Sequence, residues 1–141
     1  MSAEAERWDA ELSERLSPAP LLQTWAWGEV QSRAGWNIER VRLPGGAMAS
    51  IQLRKVGPVK EAYVPRGPAP ATPAAMGALA EWARGARVAR LTVEPESPPS
   101  LSDALASHGF ENVAPTQPQH TRILELGPEP QMLATFKQGR R

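Results

Sequence analysis

The chain contains no cysteine in its 141 residues. Disulfides, zinc–thiolate sites and cysteine nucleophiles are therefore excluded outright. Histidine is nearly as scarce. His108 and His120 stand apart and give no metal-ligand spacing. Neither charge sign dominates: 16 basic residues face 15 acidic ones, for a net charge of +1. No global field steers such a domain to DNA or to an anionic membrane, so any polyanion it binds must be read by a local site. No apolar run approaches the ~20 residues needed to span a bilayer. The opening segment, Met1 to Arg7, is polar and acidic rather than basic and then apolar, which reads against a signal peptide. The expected compartment is the cytoplasm, with at most peripheral membrane contact. No G-x-x-x-x-G-K-[ST] and no G-x-G-x-x-G occurs.

What the chain has in quantity is proline and glycine, 15 and 11 residues. They fall between periodic segments and so punctuate short elements without implying disorder. Trp8, Leu12 and Leu16 recur at fourth positions and predict a helix over 4–16. Pro20 to Gln23 reads as extended, and Thr24 reads as the N-cap of a helix from Trp25 to about Ala34, stopped by Gly35. Trp36 to Leu43 and Ala47 to Lys55 alternate apolar with polar around Pro44-Gly45-Gly46, which predicts a hairpin. A short strand over 60–64 follows, then a helix over 73–85 and a strand over 88–94. Ser100 is expected to cap a helix to His108. Strands over 110–113 and 120–126 and a helix from Glu129 to Lys137 complete the reading. The pattern predicts a single α/β (α+β) domain, a mixed sheet flanked by helices on both faces. Its order is close to that of GNAT-type acyltransferase domains.

A stand-alone acyl-CoA transferase needs a Gly-rich turn at a helix start, where backbone N–H groups cradle a pyrophosphate. Arg42-Leu43-Pro44-Gly45-Gly46-Ala47 matches the usual [QR]-x-x-G-x-[GA] letter for letter. A strand follows it, however, and Pro44 withholds one amide, so the segment reads as a turn. No coenzyme or other cofactor is implied. Glu94 ends a strand, at the edge where α/β sheets tend to present ligand-contacting groups. It has no visible partner for general-base work, and a solvated acid is the competing reading.

Four segments together resemble one family. They are Leu22-Gln23-Thr24-Trp25-Ala26-Trp27-Gly28-Glu29-Val30 with Gly35-Trp36, then Ala62-Tyr63-Val64-Pro65-Arg66-Gly67-Pro68, then Leu91-Thr92-Val93-Glu94-Pro95, and Gln117-Pro118-Gln119-His120-Thr121 with Leu124-Glu125-Leu126. In this order they resemble the FemABX group, the aminoacyl-tRNA-dependent transferases that add amino acids to the peptide stem of peptidoglycan precursors. The resemblance runs from about Leu21 to Arg141. It implies a GNAT-like lobe over 1–141, the first of two, with the precursor's sugar nucleotide in a cleft between lobes. The expected partners are a peptidoglycan precursor, UDP-MurNAc-peptide or a lipid-linked form, and aminoacyl-tRNA received by the second lobe. The lobe alone is expected to be inactive and prone to self-association.

The resemblance implies substrate-binding roles for Arg66, Glu94, Tyr63 and Gln31, and no catalytic residue or metal. Arg66 lies in a turn stiffened by Pro65 and Pro68, fit to hold a diphosphate or carboxylate with a planar fork. The competing reading has it pairing with the fold's own carbonyls. Gln31 stands where the family often has lysine, and Gln donates only neutral hydrogen bonds. Glu94 would accept from sugar or peptide groups. Tyr63 would stack or donate, or belong to the core. Trp25, Trp27 and Trp36 read as packing residues. Two other readings stay open: an acyl-CoA N-acetyltransferase using this lobe alone, and a non-enzymatic binding module.

Overall fold

A computed structural model describes residues 2–96, 101–118, 120, 127, 128 and 130. The expected elements at Ser100, 121–126 and 131–137 lie outside the described residues. Two helices open the chain, α1 (Ala3–Arg15) and α2 (Trp25–Arg33), followed by β1 (Asn37–Arg42), β2 (Met48–Val56) and β3 (Val59–Pro65). Helix α3 (Pro73–Gly85), strand β4 (Arg90–Glu94) and helix α4 (Leu101–Ser107) come next. The strands form one sheet in the order β1-β2-β3-β4. The first two pairings are antiparallel and the third, β3 with β4, is parallel. The mixed sheet and its flanking helices agree with the α+β expectation.

Helix starts follow the capping chemistry of the sequence. The Thr24 hydroxyl accepts from the Trp27 N–H, and the Thr72 hydroxyl accepts from Ala75 N–H just before Pro73. Asp9 adds a tertiary cap, its carboxylate accepting from the Trp25 N–H at 2.7 Å.

Strand β2 is buried at five consecutive positions, Met48 to Gln52, because helices cover both faces of the sheet there. Its odd-numbered side chains Ala49 and Ile51 pack with Ala62, Val64 and Leu79 under α3. Its Met48 lies on the opposite face with Trp8 and Leu12 of α1. Each fully buried Leu or Ile in these clusters stabilises by about 1.5–3 kcal/mol.

Helix α2 closes over β1 through Gly28. A Cβ at that position would lie 2.4 Å from the Arg40 guanidinium and 3.2 Å from the Ile38 methyl. Arg40 cannot yield freely, because its guanidinium stacks 3.6 Å from the Trp25 ring and donates to the Trp25 carbonyl. Gly28→Ala should therefore lower stability by about 1 kcal/mol, an overpacking cost partly offset by the helix propensity gained. Chemical denaturation checks this; equal or greater stability would mean that the guanidinium moves aside without cost.

The structure corrects two local expectations. Leu21–Gln23 is a 3₁₀ turn, not extended chain, because the Gln23 N–H bonds back to the Pro20 carbonyl. Residues 110–113 form no strand. The Phe110 N–H is consumed by the Leu105 carbonyl at the end of α4, where Gly109 turns the chain at φ 83°. The glycine-rich Pro44–Gly46 is a turn between two strands, as its neighbours required. No helix among the described residues is long and apolar enough to cross a membrane.

Candidate functional site

Helices α1 and α2 cover only the β1–β2 half of their sheet face. Among the described residues no helix covers that face over β3 and β4, and the step down from α2 to these strands forms a groove of about 370 Å³. Its wall is Trp27 and Gln31 of α2 with Trp36 just beyond it. Its floor is a cross-strand set dictated by register. Gln52 lies opposite Tyr63 and Tyr63 opposite Thr92; Arg54 lies opposite Glu61 and Glu61 opposite Arg90. Side chains alternate across a strand, so these neighbours share one face.

At the C-terminal ends of β3 and β4 the segment 115–118 crosses the sheet and closes the groove. Glu94 is its anchor. One carboxylate oxygen accepts from the Tyr63 hydroxyl, and the other from the backbone N–H groups of Thr116 and Gln117. The Gln117 side-chain amide donates to the Tyr63 hydroxyl at 3.2 Å, and the Arg66 guanidinium donates to the Pro118 carbonyl. A second cavity of about 340 Å³ opens on the far side of this crossing. Arg66, Glu94, Gln117 and His120 line it with three prolines.

The four expected binding residues thus divide into two pairs. Tyr63 and Gln31 line the groove; Arg66 and Glu94 line the smaller cavity beyond. The Tyr63–Glu94 hydrogen bond joins the two spaces. Trp27 and Trp36 line the groove, whereas Trp25 is the ring that carries Arg40. His108 packs against Gly77 of α3, a structural placement. His120 reaches the second cavity, which its sequence context did not indicate.

Arg66 owes its position to Gln23. The Gln23 side chain is fully buried, donates to the Pro65 carbonyl and accepts from the Ser50 N–H at 2.8 Å. It clamps the turn after β3 to the central strand. Gly67 lies directly over this amide, where a Cβ would come within 2.6 Å of the Gln23 carboxamide carbon. Arg66 itself takes a left-handed backbone at φ 49°, which costs about 1–2 kcal/mol for a non-glycine residue.

The electrostatics follow the hydrogen bonds. Burial pushes the Tyr63 hydroxyl up, and its hydrogen bond to the ionised Glu94 adds to this, to about 12. Burial also raises the Glu94 carboxyl, but the Tyr63 hydroxyl, the two backbone N–H groups and the Arg66 charge outweigh it and hold it below the usual carboxylate range. Because the folded value of Glu94 is depressed, its contribution to stability is full above its unfolded pKa. That contribution fades as pH falls through the folded value. The folded value of Tyr63 is raised, so its contribution fades as pH climbs from about 10 towards 12. Tyr63 is the single tyrosine of the chain, so tyrosinate absorbance reports it alone. The expected titration midpoint lies near 12. Glu94→Gln should bring it part of the way back, since burial remains. A midpoint near 10, the ordinary tyrosine value, would show that the Tyr63 hydroxyl is neither buried nor bonded to Glu94.

Among the described residues no group of three or more His, Asp or Glu side chains comes together to hold a metal ion. The arrangement can bind and orient a polar ligand along the groove and place part of it at an ionised, firmly held carboxylate.

The mixed sheet, the helices on both faces and the groove over the parallel pair make up a GNAT-like α+β fold of the kind seen in FemX. One solved structure with this fold is the crystal structure of FemX. The two match with a TM-score of 0.63 at 23% sequence identity, over 79% of this chain and 31% of the FemX chain. The chain therefore spans less than a third of that structure's length, and at this identity the likeness is one of fold. No family model and no curated protein matches the chain.

Proposed function

We propose that this domain is the precursor-binding first lobe of an aminoacyl-tRNA-dependent transferase that adds amino acids to the peptide stem of peptidoglycan precursors. The observation that carries the reading is the groove over β3 and β4, closed at the strand ends by the Tyr63–Glu94–Gln117 cluster, on a FemX-like fold. The groove is walled on one side by α2 and open on the other. A second lobe would supply the opposite wall and receive the aminoacyl-tRNA.

In the reaction an amine of the stem peptide attacks the ester carbonyl of the aminoacyl-tRNA. A C–N bond forms, the ester C–O bond breaks, the ribose hydroxyl leaves, and the amine gives up a proton. The ester is already activated, so holding the amine in line and stabilising the developing oxyanion supply much of the rate. This lobe contributes the holding. Tyr63 and Glu94 orient polar groups of the sugar or peptide, and Gln31 donates neutral hydrogen bonds from α2.

Calorimetric titration of the chain with UDP-MurNAc-pentapeptide, and separately with acetyl-CoA, tests the reading. Micromolar binding of the precursor and none of acetyl-CoA is expected. Binding of acetyl-CoA alone would overturn it in favour of an acyl-CoA transferase. Added tRNA-charged amino acid should give no turnover until a second lobe is supplied, and turnover by this chain alone would refute the division of labour.

A further inference from the structure

The charges of the chain balance overall but are not evenly spread. The β2–β3 turn, the start of β4 and the C-terminal end of α3 meet at one pole, the end of the sheet away from Glu94. Alternation along the strands puts Arg54 and Arg90 on the groove face there and Lys55 and Lys60 on the other. On that second face Lys60 donates to the Ala86 carbonyl at 2.8 Å, beside Arg84 and Arg87 at the end of α3. Among the described residues Lys55, Arg84 and Arg87 are exposed and take part in no ion pair. Lys55 also lies directly opposite Lys60, a placement of like charges that costs stability. The carboxylates near this end, Glu39, Glu61 and Glu81, are outnumbered by these cations. The turn at the centre of the pole, Val56-Gly57-Pro58-Val59, carries no charge. Its cross-strand pair, Val56 and Val59, is 46% and 41% exposed.

We propose that this pole docks on an anionic lipid bilayer, with the valine turn entering the headgroup boundary and the basic collar around it facing the lipid phosphates. A bilayer edge rewards both halves of the arrangement. Apolar side chains gain by leaving water, and each basic residue near the surface is attracted by the anionic lipids. A nucleic acid would use the collar alone: its phosphates gain nothing from two valines, and the turn offers no ring on which a base could stack. Local roles account for some of the charges. Arg84 complements the C-terminal end of α3, and Arg54 and Arg90 share Glu61. Such roles leave the exposed valine pair and the opposed lysines Lys55 and Lys60 unexplained. Two valines and a handful of charges give reversible adsorption and no permanent anchor. The docking is independent of what fills the groove, since neither Tyr63 nor Glu94 takes part.

Co-sedimentation of the full chain with vesicles tests it, using phosphatidylcholine alone and an equal mixture of phosphatidylcholine and phosphatidylglycerol. Binding to the mixed vesicles, weakened by added salt, and none to phosphatidylcholine is expected. Lys55→Gln/Arg84→Gln should weaken that binding about twentyfold, at about fivefold for each basic residue lost near the surface. The same number of charges removed at the other end of the domain, in Arg7→Gln/Arg15→Gln on α1, should change it little. Val56→Ser/Val59→Ser should weaken it several-fold although no charge is altered, which adsorption by charge alone does not predict. Circular dichroism and the Tyr63 titration confirm that each variant is folded. No binding to the mixed vesicles overturns the proposal. So does equal weakening by the two charge-removing pairs, or unchanged binding in the folded valine variant. Filter binding to polyuridylate separates the remaining partner: if it binds through Lys55 and Arg84 while the vesicles do not, the pole reads RNA and the bilayer proposal falls.

Discussion

Gln23→Leu should lower the stability of the domain by about 2–5 kcal/mol, although the replacement is apolar and similar in size. The side chain is completely buried and satisfies two backbone groups, the Ser50 N–H on the central strand and the Pro65 carbonyl at the end of β3. Each group left buried without a partner costs about 1–3 kcal/mol. Net stabilities of domains this size are commonly about 5–15 kcal/mol, so the loss is a large share. The second consequence is local. Without the clamp the turn carrying Arg66 loses the contact that holds its left-handed backbone, and the second cavity loses its fixed wall. Urea denaturation gives the first effect, and amide exchange at Ser50 and Gly67 gives the second. Gly67→Ala pushes on the same carboxamide. A double-mutant cycle of Gln23→Ala with Gly67→Ala should therefore be strongly sub-additive, because the added methyl fits where the amide was. Full additivity would mean that the two residues do not act as one unit.

Trp8→Ala should cost about 3–5 kcal/mol, in the range for removing a large aromatic from a core. Trp8 is 1% exposed and packs with Leu12, Met48 and Ala69, joining α1 to the sheet. Its indole N–H donates to the Gln23 carbonyl at 2.9 Å, so the ring also braces the segment that delivers the clamp. Trp8→Phe separates the two contributions. It keeps most of the packing and loses the hydrogen bond, and should cost about 1–2 kcal/mol from the orphaned carbonyl. If Trp8→Phe were as damaging as Trp8→Ala, the hydrogen bond and not the packing would be what attaches α1. A negligible effect of Trp8→Ala would show that α1 adds little to the fold.

Much of the fold was legible in the residues. The cap at Thr24, the stop at Gly35 and the hairpin around Pro44-Gly45-Gly46 are local chemistry, and local chemistry can be read from neighbours. The run over 110–113 misled because an apolar pattern alone cannot say whether a segment has a partner strand. Its first amide goes instead to the end of α4. Leu21–Gln23 misled because a short 3₁₀ turn has no periodicity to detect.

The candidate site was legible in part, and the reason differs residue by residue. Tyr63, Arg66 and Glu94 stand in segments with a family look, yet nothing in the sequence says that Tyr63 donates to Glu94. That contact depends on β3 and β4 being parallel neighbours in one register. Arg54, Glu61 and Arg90 carry no signal in the sequence, where each is an ordinary charged strand residue. Only the pairing of three strands brings them to one end of one groove. Gln23 could be seen as part of a motif, but not as a buried clamp, since its partners lie 27 and 42 residues away.

By itself the sequence determined the absence of cysteine chemistry, the balanced charge, the positions of caps and turns, and the alternation that makes a sheet with helices. These are properties of single residues and their near neighbours, set by steric and hydrogen-bonding preferences that act within a few positions. Tertiary structure alone decided that α2 lies over β1 and β2, that Glu94 meets Tyr63, and that two arginines share one glutamate. Those facts arise where segments far apart in the chain are brought together to bury a common core.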